Sequence, residues 1–514
     1  MNQAAAQPQT APGARPDATL QALLAGGARP ATFDWVHGPL AHWARVRPHA
    51  PALRSERHAL SFAQLHARVR ARARQWDAQR APAVVLIDEA DGPVACMVDF
   101  LALLASGRCA AVGDAQWPPA VAQAMAERLA RQRMPARQGG ITPLAPFYIG
   151  FTSGSTGLPK GFMRHHLSWA ETLHETLRTF GAPACAPVLA PGRMAHSLFL
   201  FGAVLGVWTG AGARLQEHFG AARALRVLRA GGMPTLVAVP SQLVLMLDQA
   251  RRRAMAPIDG VRLVLISGAR WMRERTPELR RLFPQARIAE FYGASEASYI
   301  AWMDADADAP PQAVGRPFGN VQLHIGPSPR QPPLPPGTPG LIWVRSPMLF
   351  MDYVNAGDAT AALREGDWLS VRDMGHVDAH GLLHLRGRES RMIVTLGKNL
   401  FPEEVEAHLL AHAAVAQASL QGVADGTRGM SVHAVLQWRP GSPDAPLPAP
   451  PSAQALAAWC RSALEAFKAP RHWWLWQGDW PHTASGKTDH GAIARALQAQ
   501  VQGGAHAPQL RAWA

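Results

Sequence analysis

FTSGSTGLPKG, residues 151–161, sets four hydroxyl side chains, three glycines and a lysine in one short run. Glycines let backbone N–H groups approach an anion, hydroxyls add donors, and a lysine adds a compact positive charge, so the run has the chemistry of a phosphate cradle. The apolar run PFYIGF (146–151) before it reads as a strand, which makes the cradle a loop at a strand end. It is not a Walker A loop. From Gly154 the fifth following residue is Pro159, and Gly161 rather than Ser or Thr follows Lys160. A Ser/Gly-rich run is equally compatible with a flexible linker, so the phosphate reading needs support elsewhere in the chain.

The surrounding composition is that of an enzyme-sized protein. At 514 residues, 48% hydrophobic and 17% charged, the chain predicts two or three well-cored domains. Cys96, Cys109, Cys185 and Cys460 are scattered without a CxxC or Cys/His cluster, which points away from a disulfide framework or a zinc site and fits a reducing, cytoplasmic setting. Residues 1–29, rich in Ala, Pro and Gln, predict a disordered lead-in, and no window of about 20 residues is apolar enough to span a bilayer. From an amphipathic segment at Phe33–Arg47 onward, the apolar runs 83–87, 98–105, 234–239, 261–268 and 286–293 alternate with helical stretches. That alternation predicts βα units around mostly parallel sheets, with ligands beyond the carboxyl ends of the strands. Beyond the Pro/Gly-rich region 312–340, the runs 340–346 and 381–388 read as more antiparallel. A smaller domain is expected from Ser390 to about residue 500, with 439–453 as an internal loop and 501–514 as a tail. There is no internal repeat.

The net charge of +14 invites a nucleic-acid-binding reading, but the basic residues are dispersed and no block is longer than Arg251-Arg252-Arg253. More informative is which base is used. Only Lys160, Lys398, Lys468 and Lys487 are lysines among 51 basic residues. Lysine differs from arginine where a compact ammonium must meet a phosphate or carboxylate at close range, so the four become candidates for chemistry.

Five motifs in order, FTSGSTGLPKG, YGASE (292–296), GDWLSVRDMGHVDAHGLLHLRGR (366–388), LGKNLFPEEVE (396–406) and PHTASGK (481–487), resemble the adenylate-forming enzyme superfamily, which includes acyl-CoA synthetases, peptide-synthetase adenylation domains and luciferases. The resemblance covers about residues 30–500. It implies an α/β fold: a large N-terminal domain (30–389) of two αβ subdomains plus a small β-barrel, and a mobile α+β C-terminal domain (390–500). The implied reaction is attack of a carboxylate on the α-phosphate of ATP, followed by transfer of the acyl group to a thiol such as CoA. Both early reactants are anions, so positioning and cationic stabilisation carry the catalysis.

By the same resemblance, Thr152, Ser153, Gly154, Ser155, Thr156, Gly157 and Lys160 hold the β- and γ-phosphates. Glu296, with Thr156, binds Mg2+. Ser295 stands where threonine is usual. Tyr292-Gly293 and Gly268-Ala269-Arg270 form the walls around adenine, Asp373 accepts from the ribose hydroxyls, and Arg388 touches ribose or phosphate. Lys487 bridges carboxylate and α-phosphate. The C-terminal domain is expected to rotate about Ser390, where aspartate or lysine is usual, bringing Gly397, Lys398 and Asn399 to the thiol tunnel. Glu404 and Lys468 are read as structural.

The acid is read from residues 194–215, which contain no carboxylate, with Ser197 where amino-acid-activating relatives carry aspartate. A buried substrate ammonium would be unpaired there, which favours an apolar acid, foremost a fatty acid. His196 matches a residue placed beside the substrate carboxylate. Phe199, Phe201 and Trp208 read either as acyl-pocket lining or as plain core. The alternatives are an aryl or acyl ligase loading a carrier protein, a phosphate-splitting NTPase, which would lack its Walker loop, and a basic nucleic-acid-binding module. FKAPR, an intact PHTASGK and no carrier after Ala514 favour a free-standing ligase.

Overall fold

The computed structural model describes residues 18–25, 27–132, 142–152, 159–310, 312–354, 362–439, 450–483, 487–501 and 509–513. Ser153, Gly154, Ser155, Thr156 and Gly157 of the candidate phosphate loop lie outside these, as does most of the expected loop at 439–453. The chain forms two units: Met1–Gly150, Met163–Glu290 and Asp304–Ala307 make the first, and Phe151–Phe162, Phe291–Met303 and Asp308–Ala514 the second.

In the first unit, Val188–Ala190, Ala213–Leu215, Thr235–Ala238, Leu263–Ile266 and the start of Arg287–Ala294 are parallel neighbours in one sheet, extended by Pro51–Arg54 and by Ala59–Ser61, which closes antiparallel on it. A second parallel set comprises Val84–Ile87, Cys109–Val112 and Pro146–Thr152. Val84–Ile87, Pro146–Thr152, Thr235–Ala238, Leu263–Ile266 and Arg287–Ala294 fall on the apolar runs read from the sequence, whereas Pro51–Arg54, Ala59–Ser61, Cys109–Val112, Val188–Ala190 and Ala213–Leu215 were not foreseen, and one run needs a correction. Residues 98–105 belong to the helix Pro93–Ala105, apolar but for Asp99 because the helix is buried on most faces, where periodicity does not separate helix from strand. The helix Ser197–Trp208 is buried at every position from Phe199 to Trp208 and lies on the strands beneath it. Its approach is close: a Cβ at Gly206 would stand 2.3 Å from the Gly212 carbonyl oxygen. Part of the expected lead-in is folded. Ala18–Leu24 forms a helix whose Leu20 and Leu23, one turn apart, are buried.

In the second unit the runs 340–346 and 381–388 lie in an antiparallel sheet as expected, while Gly429–Trp438 and His472–Trp476 pair in parallel. Leu363–Glu365, Trp368–Ser370, Gly340–Arg345, Asp373–Val377, Leu383–Arg388, Ala313–Pro317 and Ser298–Asp304 follow one another in one sheet. After a single 3-10 turn at Glu389–Arg391, a further sheet runs Lys398–Leu400, Ile393–Thr395, Gly429–Trp438, His472–Trp476 and Leu510–Trp513, with Val415–Asp425 paired to Gly429–Trp438. Helices Pro402–Leu410 and Ala453–Ala463 cover a core of Leu400, Val405, Leu409, Leu420, Leu436 and Leu456. The expected tail at 501–514 thus ends in an edge strand. Trp513 holds it by edge-to-face packing on Trp438 and by donating from Nε1 to the Pro451 carbonyl at 3.0 Å. No helix among the described residues is long and apolar enough to cross a membrane.

Candidate active site

Register brings the first pair of candidates together. Asp373 and Arg388 are fifteen positions apart in sequence but face each other across antiparallel strands. Arg388 Nε donates to Asp373 Oδ1 at 3.2 Å, and the Tyr292 hydroxyl donates to Asp373 Oδ2 at 2.6 Å. Burial and the Asp373 charge push the Tyr292 phenol well above its usual pKa, so it stays protonated and a donor. The residue before Asp373, Arg372, has φ +63°, left-handed backbone that a non-glycine residue rarely adopts. It is held there by an ion pair to Glu389 at 2.6 Å and by the Glu389 N–H donating to its carbonyl at 2.9 Å. Backbone strain of this kind clusters at functional sites.

Lys487 stands beside an antiparallel bridge. His482 and Thr488 bridge, Thr483 N–H donates to the Lys487 carbonyl at 2.7 Å, and Trp480 Nε1 donates to Thr488 Oγ1 at 3.1 Å. Lys487 is exposed as a residue, yet protein around its ammonium desolvates it and, with the Arg388 charge, lowers its pKa, while Asp373 acts the other way. Tyr292, Asp373 and Arg388 therefore form one polar cluster, and Lys487 lies within the electrostatic reach of Asp373 and Arg388. Glu296 stands in the same unit. The chain doubles back after Gly293 so tightly that a Cβ there would meet the Ser298 carbonyl oxygen at 2.1 Å, which displays Ser295 and Glu296 at the turn. The Tyr353 hydroxyl donates to Glu296 Oε1 at 2.7 Å, fixing a carboxylate of the hard-oxygen kind that Mg2+ takes. Thr152 ends the strand Pro146–Thr152 and Lys160 begins Lys160–His165, so the two flank the loop.

Gly397 and Lys398 are not part of the cluster. Gly397 has φ +70° and open space where a Cβ would point, while Lys398 Nζ lies 4.9 Å from the centre of the Phe467 ring. Lys468 is bound as expected of a structural lysine, reaching both Glu404 oxygens at 3.0 Å and Glu465 at 2.9 Å.

The remaining candidates belong to the first unit. Gly268, Ala269 and Arg270 follow the carboxyl end of Leu263–Ile266 and are exposed. Gly268 has φ +89° with Val239 Cγ1 3.2 Å from a would-be Cβ, so only glycine fits there without strain. Arg273 and Glu290 form a buried ion pair at 2.9 Å below this turn. His196 is the residue before Ser197–Trp208, half-buried, with its ring 6.4 Å from that of Phe199. The Ser197 hydroxyl is 3.1 Å from that of Tyr148. Trp208 resolves as core. It is fully buried, its ring lies edge-on to Phe33 at 4.8 Å, and its Nε1 donates to the Trp35 carbonyl at 3.2 Å. Phe199 and Phe201 are buried as well.

Sequence reasoning passed over Tyr148 and Tyr353. A signal was present: the chain has 4 tyrosines, and the hydroxyls of Tyr148, Tyr292 and Tyr353 each meet a candidate residue. In the second unit, a cavity of about 580 Å³ lined by Asn320, Gln322, Arg345, Arg364 and Asp367 holds none of the candidates. Its arginines are already engaged, Arg345 by Gln322 and Arg364 by the Phe350 and Met351 carbonyls.

Comparison with known proteins identifies the family. Residues 82–354 match the AMP-binding enzyme family and 404–487 its C-terminal domain. An uncharacterised acyl-CoA ligase of Bacillus subtilis, YhfT, is 36% identical over 363 residues, 70% of this chain and 71% of YhfT. A putative long chain fatty acid-CoA ligase of Staphylococcus epidermidis, VraA, is 29% identical over 55% of this chain and 58% of its own. A 2-succinylbenzoate-CoA ligase of Geobacillus kaustophilus is 29% identical over 63% and 64%. Among solved structures, o-succinylbenzoate CoA synthetase of Bacillus subtilis with its acyl-adenylate intermediate shares the fold, with TM-score 0.74 at 21% identity over 88% of this chain and 97% of that one. With the motifs in order, the fold shared and both family segments matched, the chain belongs to the AMP-binding, adenylate-forming enzymes, in their acid–thiol ligase branch.

Proposed function

We propose that this enzyme activates an apolar carboxylic acid, foremost a fatty acid, with ATP and passes the acyl group to CoA. The observation that carries the reading is the cluster of Asp373, Arg388 and Tyr292, residues suited to a nucleotide, within electrostatic reach of the Lys487 ammonium. In the first step a carboxylate oxygen attacks the α-phosphorus as the bond to the β-bridging oxygen breaks, and pyrophosphate leaves. Lys487 offsets the repulsion between the two anions, Asp373 accepts from the ribose hydroxyls, and Arg388 binds ribose or phosphate. Thr152, Lys160 and the loop between them hold the β- and γ-phosphates, and Tyr292-Gly293 contributes a wall for adenine. Glu296, with Thr156, is suited to hold Mg2+, which supplies charge neutralisation on the phosphates when bound. In the second step the CoA sulfur attacks the acyl carbonyl and AMP leaves. For that step residues 390–500 rotate about Ser390 on the turn Glu389–Arg391, and Gly397 leaves room for the thiol arm beside Lys398.

The substrate class rests on the helix Ser197–Trp208, which has no charged residue. A second reading, an aromatic acid, is favoured by the 2-succinylbenzoate ligase among the relatives. That acid carries two carboxylates, and Arg193, just before the helix, already pairs with Asp114 at 2.7 Å. The test is acid-dependent pyrophosphate release with acetate, octanoate, palmitate, benzoate and 2-succinylbenzoate, followed by thioester formation with CoA or a carrier protein as acceptor. Octanoate or palmitate is expected to lead, with CoA as acceptor. A lead by benzoate or 2-succinylbenzoate selects the aromatic reading, a carrier-only product selects the carrier ligase, and no release with any acid overturns the proposal.

A further inference from the structure

We infer that Glu89, supported by Asp114, is a positioning residue for acid activation: the two carboxylates clasp the turn Arg193–His196 and so set where His196 and Ser197 stand. The inference rests on the acid-activating reading above.

Both residues follow the carboxyl ends of neighbouring parallel strands, Glu89 after Val84–Ile87 and Asp114 after Cys109–Val112. Glu89 Oε2 accepts from the Met194 backbone N–H at 2.7 Å. Asp114 Oδ1 accepts from Arg193 Nη1 at 2.7 Å and from the Gln116 N–H at 2.9 Å. Two consecutive residues ahead of His196, Arg193 and Met194, are thereby held by acids that follow two strands, and Tyr148, on the third strand, meets Ser197. The turn has little freedom on its other side: a Cβ at Gly192 would fall 2.2 Å from the Phe199 ring. A carboxylate accepting backbone N–H bonds in the half-buried space ahead of a helix is a stronger restraint than a neutral acceptor.

The same geometry makes the clasp respond to pH. Desolvation raises the Glu89 pKa to about 7, against the Met194 N–H bond and the Arg193 charge. The charged groups facing it are Arg193 and Asp114, and Cys96, on Pro93–Ala105, is within its electrostatic reach. Cys96 stays a thiol near neutrality, its pKa pushed well above 9 by burial. Glu89 accepts best when ionised, so activity toward the acid rises with pH through about 7.

The experiment compares wild type with Glu89→Gln and Asp114→Asn, using octanoate and benzoate as probes. Each variant should keep the thermal midpoint and the KM for ATP, while kcat/KM for the acid falls about 5- to 10-fold, the size of a lost charge-assisted hydrogen bond. In Glu89→Gln the inflection near pH 7 should also vanish. A Glu89→Gln protein with wild-type acid kinetics and a surviving inflection overturns the assignment, as do equal losses toward acid and ATP. If wild type releases no pyrophosphate with either acid, the acid-activating reading fails instead. The clasp is then read directly: Glu89→Ala should speed hydrogen–deuterium exchange across 193–198, and unchanged exchange overturns it.

Discussion

Lys468 and Lys487 lie nineteen positions apart in the same unit of a chain that almost everywhere prefers arginine, and they are used in opposite ways. Lys468 is saturated, its ammonium shared between Glu404 and Glu465. Lys487 has no carboxylate within 4 Å among the described residues, and its nearest charged neighbour in effect is a cation, Arg388. The first lysine joins the helix Pro402–Leu410 to the turn Ala466–Lys468. The second has no such acidic partner among the described residues. The difference teaches that scarcity alone marks a residue as special, while the partners around it say whether that role is internal or directed outward.

The comparison breaks most visibly at Lys487. Lys487→Ala should lower acid-dependent pyrophosphate release about 10²- to 10³-fold, the scale of losing one preorganised charge at a reacting centre. The same variant should still convert a supplied acyl-adenylate to the thioester, and loss of both steps would show misfolding instead. Lys468→Ala should do the reverse. It leaves Glu404 with only Arg386, 3.8 Å away, and should cost about 1–3 kcal/mol in chemical denaturation with adenylation within a few-fold of wild type. A smaller effect sharpens the contrast. Tyr353→Phe removes the hydroxyl that orients Glu296, and should raise the Mg2+ concentration for half-maximal activity about fivefold, the worth of one hydrogen bond.

The reach of the sequence follows the same division. Parallel strands were legible as apolar runs because burial on both faces leaves a continuous hydrophobic signal, and the same continuity hid the helix Pro93–Ala105. The short helix Ala18–Leu24 and the strand Leu510–Trp513 were missed because each is too short for a period to be read from it. Lys487, Asp373 and Arg388 were legible as motif residues, but their pairing was not, since it depends on register across two strands. Glu89 left no trace at all. An acid in a turn after a strand reads as solvated, and only the fold returns the backbone of Met194 to it.

The tyrosines turn the two units into a readable instrument. Uniform fluorotyrosine labelling would give a fluorine spectrum of four lines, with Tyr148 reporting on the helix start at Ser197, Tyr292 on Asp373, Tyr353 on Glu296, and Tyr299, stacked on Phe318, as an internal reference. Titrating acid, ATP and Mg2+ separately would then show the order in which each part of the site is engaged, without altering a single candidate residue.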